Sequence, residues 1–150
     1  MEYTKIESII DLKGLASLVL NSFDKFIAPD YSEEGIRTFY GFFDQGSLLE
    51  KTLENGDSIF IAKENNEVIG LLATRNKSHI SLLFVNEKHQ KKGIGKNLFN
   101  LLCKNLETEK ITVNSSPFAE KIYEKLGFIK VSPMQEKDGI KFISMEFLKK

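Results

Sequence analysis

A short segment rich in glycine and lysine, Gln90-Lys91-Lys92-Gly93-Ile94-Gly95-Lys96, has the composition of an anion-binding loop. It follows an apolar run that ends at Val85 and precedes leucines at helical spacing, so it joins a buried strand to the start of a helix. Unpaired backbone amides and the helix dipole attract an anion at such a position. Glycines let the backbone approach a phosphate closely, and the three lysines add positive charge. The segment therefore predicts a binding site for a phosphate-bearing ligand.

Two well-known phosphate loops do not match this segment. A Walker loop requires glycine where Gln90 stands and Ser or Thr where Asn97 stands, and the dinucleotide fingerprint requires a third glycine where Leu98 stands. On this segment alone, a loop that only turns a strand into a helix, with its lysines in solvent, remains an alternative.

The residues on either side of the loop extend the pattern. The run Gln-x-x-Gly-Ile-Gly after Leu-Leu-Phe-Val resembles the acyl-CoA-binding motif, Arg/Gln-x-x-Gly-x-Gly/Ala, of the GNAT-family N-acetyltransferases. Downstream, Val113-Asn114, Ala119 and the run from Ile122 to Phe128 resemble the second signature of that family, a strand end followed by A-x-x-x-Y-x-x-x-G-F. With the flanking elements included, the resemblance covers nearly the whole chain, and it leaves the acceptor unnamed.

The resemblance implies a fold and a cofactor. The fold is a three-layer α/β domain with a mixed, mostly antiparallel sheet, helices on both faces, and strands 78–85 and 110–114 as a parallel pair that splays apart. Acetyl-CoA, with coenzyme A as product, is expected in the opening, and no metal is expected. The predicted pantetheine contacts are Leu83, Phe84, Val85 and Asn114, and the predicted pyrophosphate contacts are the amides from Gln90 to Lys96.

The implied reaction is direct attack of a primary amine on the acetyl thioester, which needs a stabilised oxyanion and a proton for the departing thiolate. A strand amide near Phe84 or Val85 is the predicted oxyanion donor, and Tyr123 is the predicted acid. Tyr123 shares one predicted helix face with Ala119 and Leu126, so its phenol points inward and its hydroxyl needs a partner. The alternative is a core tyrosine bonded to a backbone carbonyl.

His79 is the candidate general base, because a neutral imidazole accepts a proton near neutral pH. Strand alternation predicts that His79, Ser81, Leu83 and Val85 share one face. A structural histidine at the strand end is an equal alternative, and ordered water also serves as a base in enzymes of this kind. His89, among charged residues, is expected to be exposed to solvent.

Hydrophobic periodicity predicts the elements that carry these residues. A first helix carries Ile10, Leu15 and Phe23 and breaks at residues 28–31; a second is capped by Ser32, and a short third spans residues 47–53. A later helix follows Gly93, and the last predicted helix spans residues 117–126, with Ser116 as its N-cap. The predicted strands span residues 57–62, 68–74, 78–85, 110–114, 128–131 and 141–147, the last two as antiparallel neighbours around a loop at residues 138–139. Helices, a meander, and a strand–helix–strand unit together predict a three-layer α/β domain.

Composition bounds the class of protein. The 150 residues predict one domain, residues 1–150, and 21 basic against 21 acidic side chains disfavour a nucleic-acid binder. No apolar run is long enough for a membrane partner, and the lone cysteine fits a reducing compartment, so a cytoplasmic protein is expected. That cysteine, Cys103, is expected to be an inert thiol within a helix. The sequence is compatible with a homodimer.

Charge is unevenly distributed along the chain. Residues 21–57 hold eight acids against three bases, whereas residues 77–110 hold seven lysines against three glutamates. The basic segment suits an anionic cofactor, and the acidic one suits a cationic amine, either a small molecule or a peptide. A non-catalytic acyl-CoA-binding domain is the alternative function, against which the tyrosine at position 123 argues.

Overall fold

The computed structural model describes residues 1–8, 12, 14–43 and 47–149, without the side chain of Phe42. Ile10 of the predicted first helix and Asp44, one of the eight acids counted in residues 21–57, lie outside the described residues. The helices are α1 (Leu15–Ser22), α2 (Glu33–Phe43), α3 (Ser47–Glu54), α4 (Ile94–Asn105) and α5 (Glu120–Leu126). The strands are β1 (Glu2–Lys5), β2 (Ile59–Glu64), β3 (Glu67–Arg75), β4 (His79–Val85), β5 (Lys110–Ser115), β6 (Ile129–Lys130), β7 (Gln135–Lys137) and β8 (Ile140–Leu148).

Among the described residues, the strands form one mixed sheet in the order β1-β2-β3-β4-β5-β8-β6, with β7 paired to β8. The β4–β5 pair is parallel, and the other pairs are antiparallel. The predicted sheet, mostly antiparallel with one parallel pair, is confirmed. The predicted pairing of the strands after α5 is confirmed as well, since β6 lies antiparallel to β8.

The sheet is covered on both faces, as expected for three layers. On one face, buried residues of α4 and α5, among them Leu98 and Tyr123, pack against the sheet. On the other face, α1, α2 and α3 contribute buried residues that include Val19, Phe43 and Leu49. Each helix is therefore held mainly by its apolar stripe, which the sequence shows at helical spacing.

Local chemistry explains where some helices start. The Ser32 hydroxyl accepts a hydrogen bond from the Gly35 amide at 3.1 Å, so Ser32 caps α2 as predicted. Helix α5 starts at Glu120, three residues later than predicted. The reason is that the Ala119 amide bonds to the Ser116 carbonyl at 3.1 Å, which closes the first turn as a tighter turn before the α-helix begins.

Two strands and three short helical turns were not predicted, one of the turns being Glu87–His89 before the glycine-rich loop. Strands β1 and β7 are short, polar and mostly exposed, so they lack the alternating apolar pattern that reveals a strand. After α1 the chain continues as a π-helical turn, Phe23–Ile27, and then as a 3-10 turn up to the predicted break. No helix in the described ranges is long and apolar enough to cross a membrane.

Candidate functional site

The parallel strands β4 and β5 are neighbours over only a short stretch. Their register pairs His79 with Thr112 and Ile80 with Val113, and the Thr112 amide donates to the Ser78 carbonyl at 3.0 Å. From Ser81 onward no residue of β4 is paired with β5. The two strands therefore enclose an opening that widens toward their C-terminal ends.

A β-bulge at Ser81 marks the vertex of this opening. On β3, Ala73 and Thr74 are adjacent, but their partners on β4 are Leu82 and Ile80, so Ser81 is the extra residue. Its hydroxyl donates to the Ala73 carbonyl at 3.2 Å. Because a bulge bends its strand and increases the local twist, it provides a physical reason for the departure of β4 from β5 at this point.

The bulge also inverts the faces of β4, which corrects one prediction. Ile80 belongs to the core beneath α4 and α5, as do the partly buried Leu83 and Val85. Leu82 and Phe84 belong to the core on the opposite face. The prediction that strand alternation continues unbroken from residue 79 to residue 85 is wrong, because one extra residue shifts every later side chain to the other face.

Backbone groups of β4 point into the opening at two residues. The Asn86 amide donates to the Ile69 carbonyl at 2.7 Å, and bonded pairs alternate along an antiparallel ladder. Phe84 is thus bonded to β3, whereas the amides of Leu83 and Val85 face the side of β5. Two strand amides were considered from the sequence. The Phe84 amide points to β3, and the Val85 amide points to the opening.

The loop beyond β4 presents a row of free amides. Lys91 has φ 65° and Gly93 has φ 79°, and these left-handed conformations turn the chain into α4. The first helical bond runs from the Asn97 amide to the Gly93 carbonyl at 3.0 Å. No amide from Lys91 to Lys96 donates to another described residue. The start of α4 therefore presents unoccupied backbone donors, and their contact with an anion stays a prediction.

Gln90 contributes in a different way from the other loop residues. Its amide donates to the Glu87 carbonyl at 3.4 Å, and its side-chain amide donates to the Val85 carbonyl at 3.2 Å. The free amides thus begin at Lys91, and Gln90 ties the loop to the end of β4. The predicted contact of the Gln90 amide with an anion would have to replace its long bond to Glu87.

The loop carries three exposed lysines and a glycine with open space beside it. A Cβ atom on Gly95 would meet no packed neighbour within 4 Å. Lys91, Lys92 and Lys96 are exposed. Free amides, a helix N-terminus and three cations thus lie in one short segment, a combination that favours an anion.

Tyr123 lies on α5 beneath the sheet, with only 5% of its surface exposed. Its ring packs edge-to-face on Phe128 with centroids 5.3 Å apart. Within the described residues its hydroxyl makes no hydrogen bond to protein, so the alternative of a core tyrosine bonded to a carbonyl is not what the structure shows. Burial raises the pKa of the phenol above its usual value of 10, which keeps the proton on the oxygen at physiological pH.

His79 lies at the narrow end of the strand pair, away from the opening. Its Nδ1 is 2.8 Å from the Thr112 hydroxyl, and its Nε2 is 3.3 Å from the Arg75 guanidinium. Since a guanidinium can only donate, Nε2 is the acceptor and Nδ1 carries the proton. Burial, with a smaller contribution from Arg75, lowers the pKa of His79 to about 4. Both nitrogens are engaged, and this arrangement argues against the predicted base role.

His89, Cys103 and Asn114 are the remaining residues that the sequence singled out. His89 is partly buried rather than exposed, and its Nε2 lies 2.8 Å from the Glu64 carboxylate. Cys103 is partly buried in α4, and burial raises its thiol pKa. Asn114 is exposed at the end of β5, where its Oδ1 accepts a hydrogen bond from the Ser144 hydroxyl at 3.0 Å.

The π-helical turn after α1 spans the mouth of the opening. Lys25 forms an ion pair with Glu87, which follows β4, and the ring of Phe26 stacks on Phe118, which follows β5, with centroids 5.2 Å apart. Neighbouring residues of one turn thus contact both sides of the mouth. The sequence carries no signal for this bridge, because neither contact depends on a local pattern.

Comparison with known proteins was made at the level of sequence and of fold. Residues 27–149 match the family profile described as an acetyltransferase (GNAT) domain. A search of curated proteins finds no significant match. Solved structures with a similar fold are numerous, and three of them show the extent of the likeness.

A GCN5-related N-acetyltransferase from Rhodopseudomonas palustris is 20% identical with a TM-score of 0.83, over 98% of this chain and 94% of that one. The PaiA N-acetyltransferase from Thermoplasma acidophilum, solved with coenzyme A, is 22% identical with a TM-score of 0.72, over 99% of both chains. An aminoglycoside 6'-N-acetyltransferase from Enterococcus faecium is 15% identical with a TM-score of 0.72, over 99% and 97%. At these identities the likeness establishes the fold.

Proposed function

Since this chain belongs to the GNAT family of acetyltransferases, we propose that it moves an acetyl group from acetyl-CoA to a primary amine by direct attack. The acetyl transfer follows from the family. The amine acceptor, the donor and the residue roles below are our proposal, argued from the geometry of the opening.

The free amides from Lys91 to Lys96 bind the diphosphate of the donor, and the exposed lysines complement its charge. Because the diphosphate lies beyond the end of β4, the pantetheine runs inward along that strand. The amides of Val85 and Leu83, which face the opening, are the backbone donors on its path. Asn114, at the end of β5, borders the same opening from the other side.

The thioester then lies near the vertex, where β4 leaves β5. The Leu83 amide is the first inward-facing donor after the bulge, so it is placed to stabilise the oxyanion that forms as the amine attacks. This refines the expectation from sequence, which had considered Phe84 and Val85. Preorganised backbone donors suit this role because they need no reorientation during the reaction.

Tyr123 donates the proton to the departing thiolate. Its ring lies on the α5 face of the sheet, and its hydroxyl has no protein partner among the described residues. A phenol is protonated at neutral pH, so this hydroxyl has a proton to donate when the thiolate develops. His79 is left out of the mechanism because of its placement, and no described side chain is assigned as base.

The row of free amides at the start of α4 is the observation that carries this proposal. The test is a thiol-release assay with acetyl-CoA and a panel of primary amines, with mass spectrometry of the products. We expect amine-dependent release of coenzyme A and a mass increase of one acetyl group on the amine. Binding of coenzyme A without turnover of any amine would support the non-catalytic alternative instead.

A further inference from the structure

A cavity of about 350 Å³ lies between α4, α5 and the end of β8. It has the size of a small-molecule site, for which about 300–1,000 Å³ is usual. It is lined in part by Phe99 and Cys103 of α4, Leu126 of α5 and Phe147 of β8. Of the residues proposed to bind the donor, only Lys96 is among the described residues that line it. The cavity is therefore distinct from the opening between β4 and β5.

The floor of this cavity is apolar. The rings of Phe99 and Phe147 pack edge-to-face with centroids 4.9 Å apart. Phe99 is almost fully buried in the core, whereas Leu126 and Phe147 are only partly buried against it. Since water gains little from contact with such a surface, a ligand that covers it with apolar groups gains free energy from the burial.

The rim of the cavity is positively charged. Lys96 and Lys125 are exposed, and neither forms an ion pair with a described residue. A third lysine, Lys149, is held at the cavity because its Nζ donates to the Cys103 carbonyl at 2.8 Å. No carboxylate is present among the described residues that line the cavity. Three cations without a counter-ion favour an anionic ligand.

We propose that this cavity binds a small carboxylate that carries an apolar body, at a site separate from that of the donor. The carboxylate pairs with the lysines of the rim, and the apolar body lies on Phe99 and Phe147. A cation of the same shape would meet three like charges, and an anion without an apolar body would gain nothing from the floor. The site goes beyond acetyl transfer and does not depend on it.

The experiment uses the thiol of Cys103 as a reporter, because it lines the cavity and is the only cysteine of the chain. Its alkylation by iodoacetamide, a neutral reagent, is followed by mass spectrometry of the whole protein. The probes are octanoate, octylamine as a cation with the same body, and acetate as an anion without one. Calorimetry measures the affinity for octanoate in the wild type, in Lys125→Gln and in Lys121→Gln. Lys121 is the matched control, an exposed lysine one turn earlier in α5 that does not line the cavity.

We expect octanoate to bind with a Kd of about 1 mM, as its size allows. At about 10 mM it should slow the alkylation of Cys103 about tenfold, whereas octylamine and acetate should not slow it. Lys125→Gln is expected to weaken octanoate binding about fivefold, and Lys121→Gln should leave it unchanged.

Four results would overturn the site. Octanoate might give no protection, or octylamine might protect equally well. The two lysine variants might weaken binding alike, which would show general attraction to a basic surface. Coenzyme A might displace octanoate, which would assign the cavity to the donor. Finally, a Cys103 that iodoacetamide does not reach in the protein without ligand would show that the cavity is already covered. Each of these results leaves acetyl transfer, which is assayed separately, standing.

Discussion

At the residue scale, Tyr123 combines burial with a hydroxyl that no described protein group satisfies. Its oxygen is not one of the enclosed polar atoms without a partner among the described residues, so the hydroxyl is accessible to a ligand or a reacting atom. The inward orientation followed from helical spacing alone. The missing hydrogen bond needed coordinates, because the sequence does not show what lies above the ring.

Replacing Tyr123 with Phe removes the proposed acid while keeping the ring that packs on Phe128. We expect kcat to fall by about 10² to 10⁴, the range typical of a lost general acid, with little change in affinity for acetyl-CoA. Steady-state kinetics and a titration with acetyl-CoA measure the two effects separately. If kcat and the affinity for acetyl-CoA fall by the same factor, or if neither falls, Tyr123 is not the acid.

His79 is expected to affect stability rather than turnover. Its pKa of about 4 in the folded protein lies below the ordinary 6.5, so between these values the unfolded chain binds more protons. The stabilising contribution is complete above pH 6.5 and is lost as the pH falls toward 4. Since the ring is partly exposed, we expect a loss of about 1 kcal/mol in unfolding free energy between pH 7 and pH 5.

Urea unfolding of His79→Gln at the two pH values checks this expectation. The variant should lack that part of the pH dependence, because glutamine does not titrate. Its profile of kcat/KM against pH should match that of the wild type. A change in the rate profile between pH 4 and pH 6.5 would restore His79 as a candidate base.

At the element scale, the end of α5 depends on a glycine. Gly127 has φ 108°, and a Cβ there would stand 3.0 Å from the ring of Phe147. We expect Gly127→Ala to lower the unfolding free energy by about 1–2 kcal/mol through backbone strain, with crowding added. Denaturant unfolding measures this loss. The control is Gly41→Ala in α2, where a Cβ would meet nothing within 4 Å, and equal stability of the two variants would contradict this interpretation.

For strand β4, the sequence predicted the strand but not the bulge within it. Its apolar run, and its role as the central parallel partner of β5, were predictable from residues 78–85. The bulge at Ser81 was not, because the sheet is covered on both faces and apolar residues occur on each. Only the register against β3 reveals the extra residue, and with it the direction of the Leu83 amide.

At the scale of the whole molecule, two sets of helices border the opening between β4 and β5. The free amides of the loop and Tyr123 lie with α4 and α5 on one face of the sheet. The π-helical turn that follows α1 contacts the segments after β4 and after β5 through Lys25 and Phe26. The motifs predicted the side of α4 and α5, whereas the contacts of the π-helical turn join distant segments, which carry no local signature.

The most direct test of the account is calorimetric titration of the protein with coenzyme A, for the wild type and for Gly95→Asp and Gly95→Ala. A Cβ at this position would meet no neighbouring group within 4 Å, and an aspartate favours the helix dipole, so folding stability should be retained. Its charge would lie in the first turn of α4, next to the amides proposed to bind the diphosphate. We expect saturable binding to the wild type and to Gly95→Ala, with affinity at least about 100-fold weaker for Gly95→Asp. A wild-type protein that does not bind coenzyme A at millimolar concentration, or an aspartate variant that binds it equally well, would rule out a diphosphate site at the start of α4.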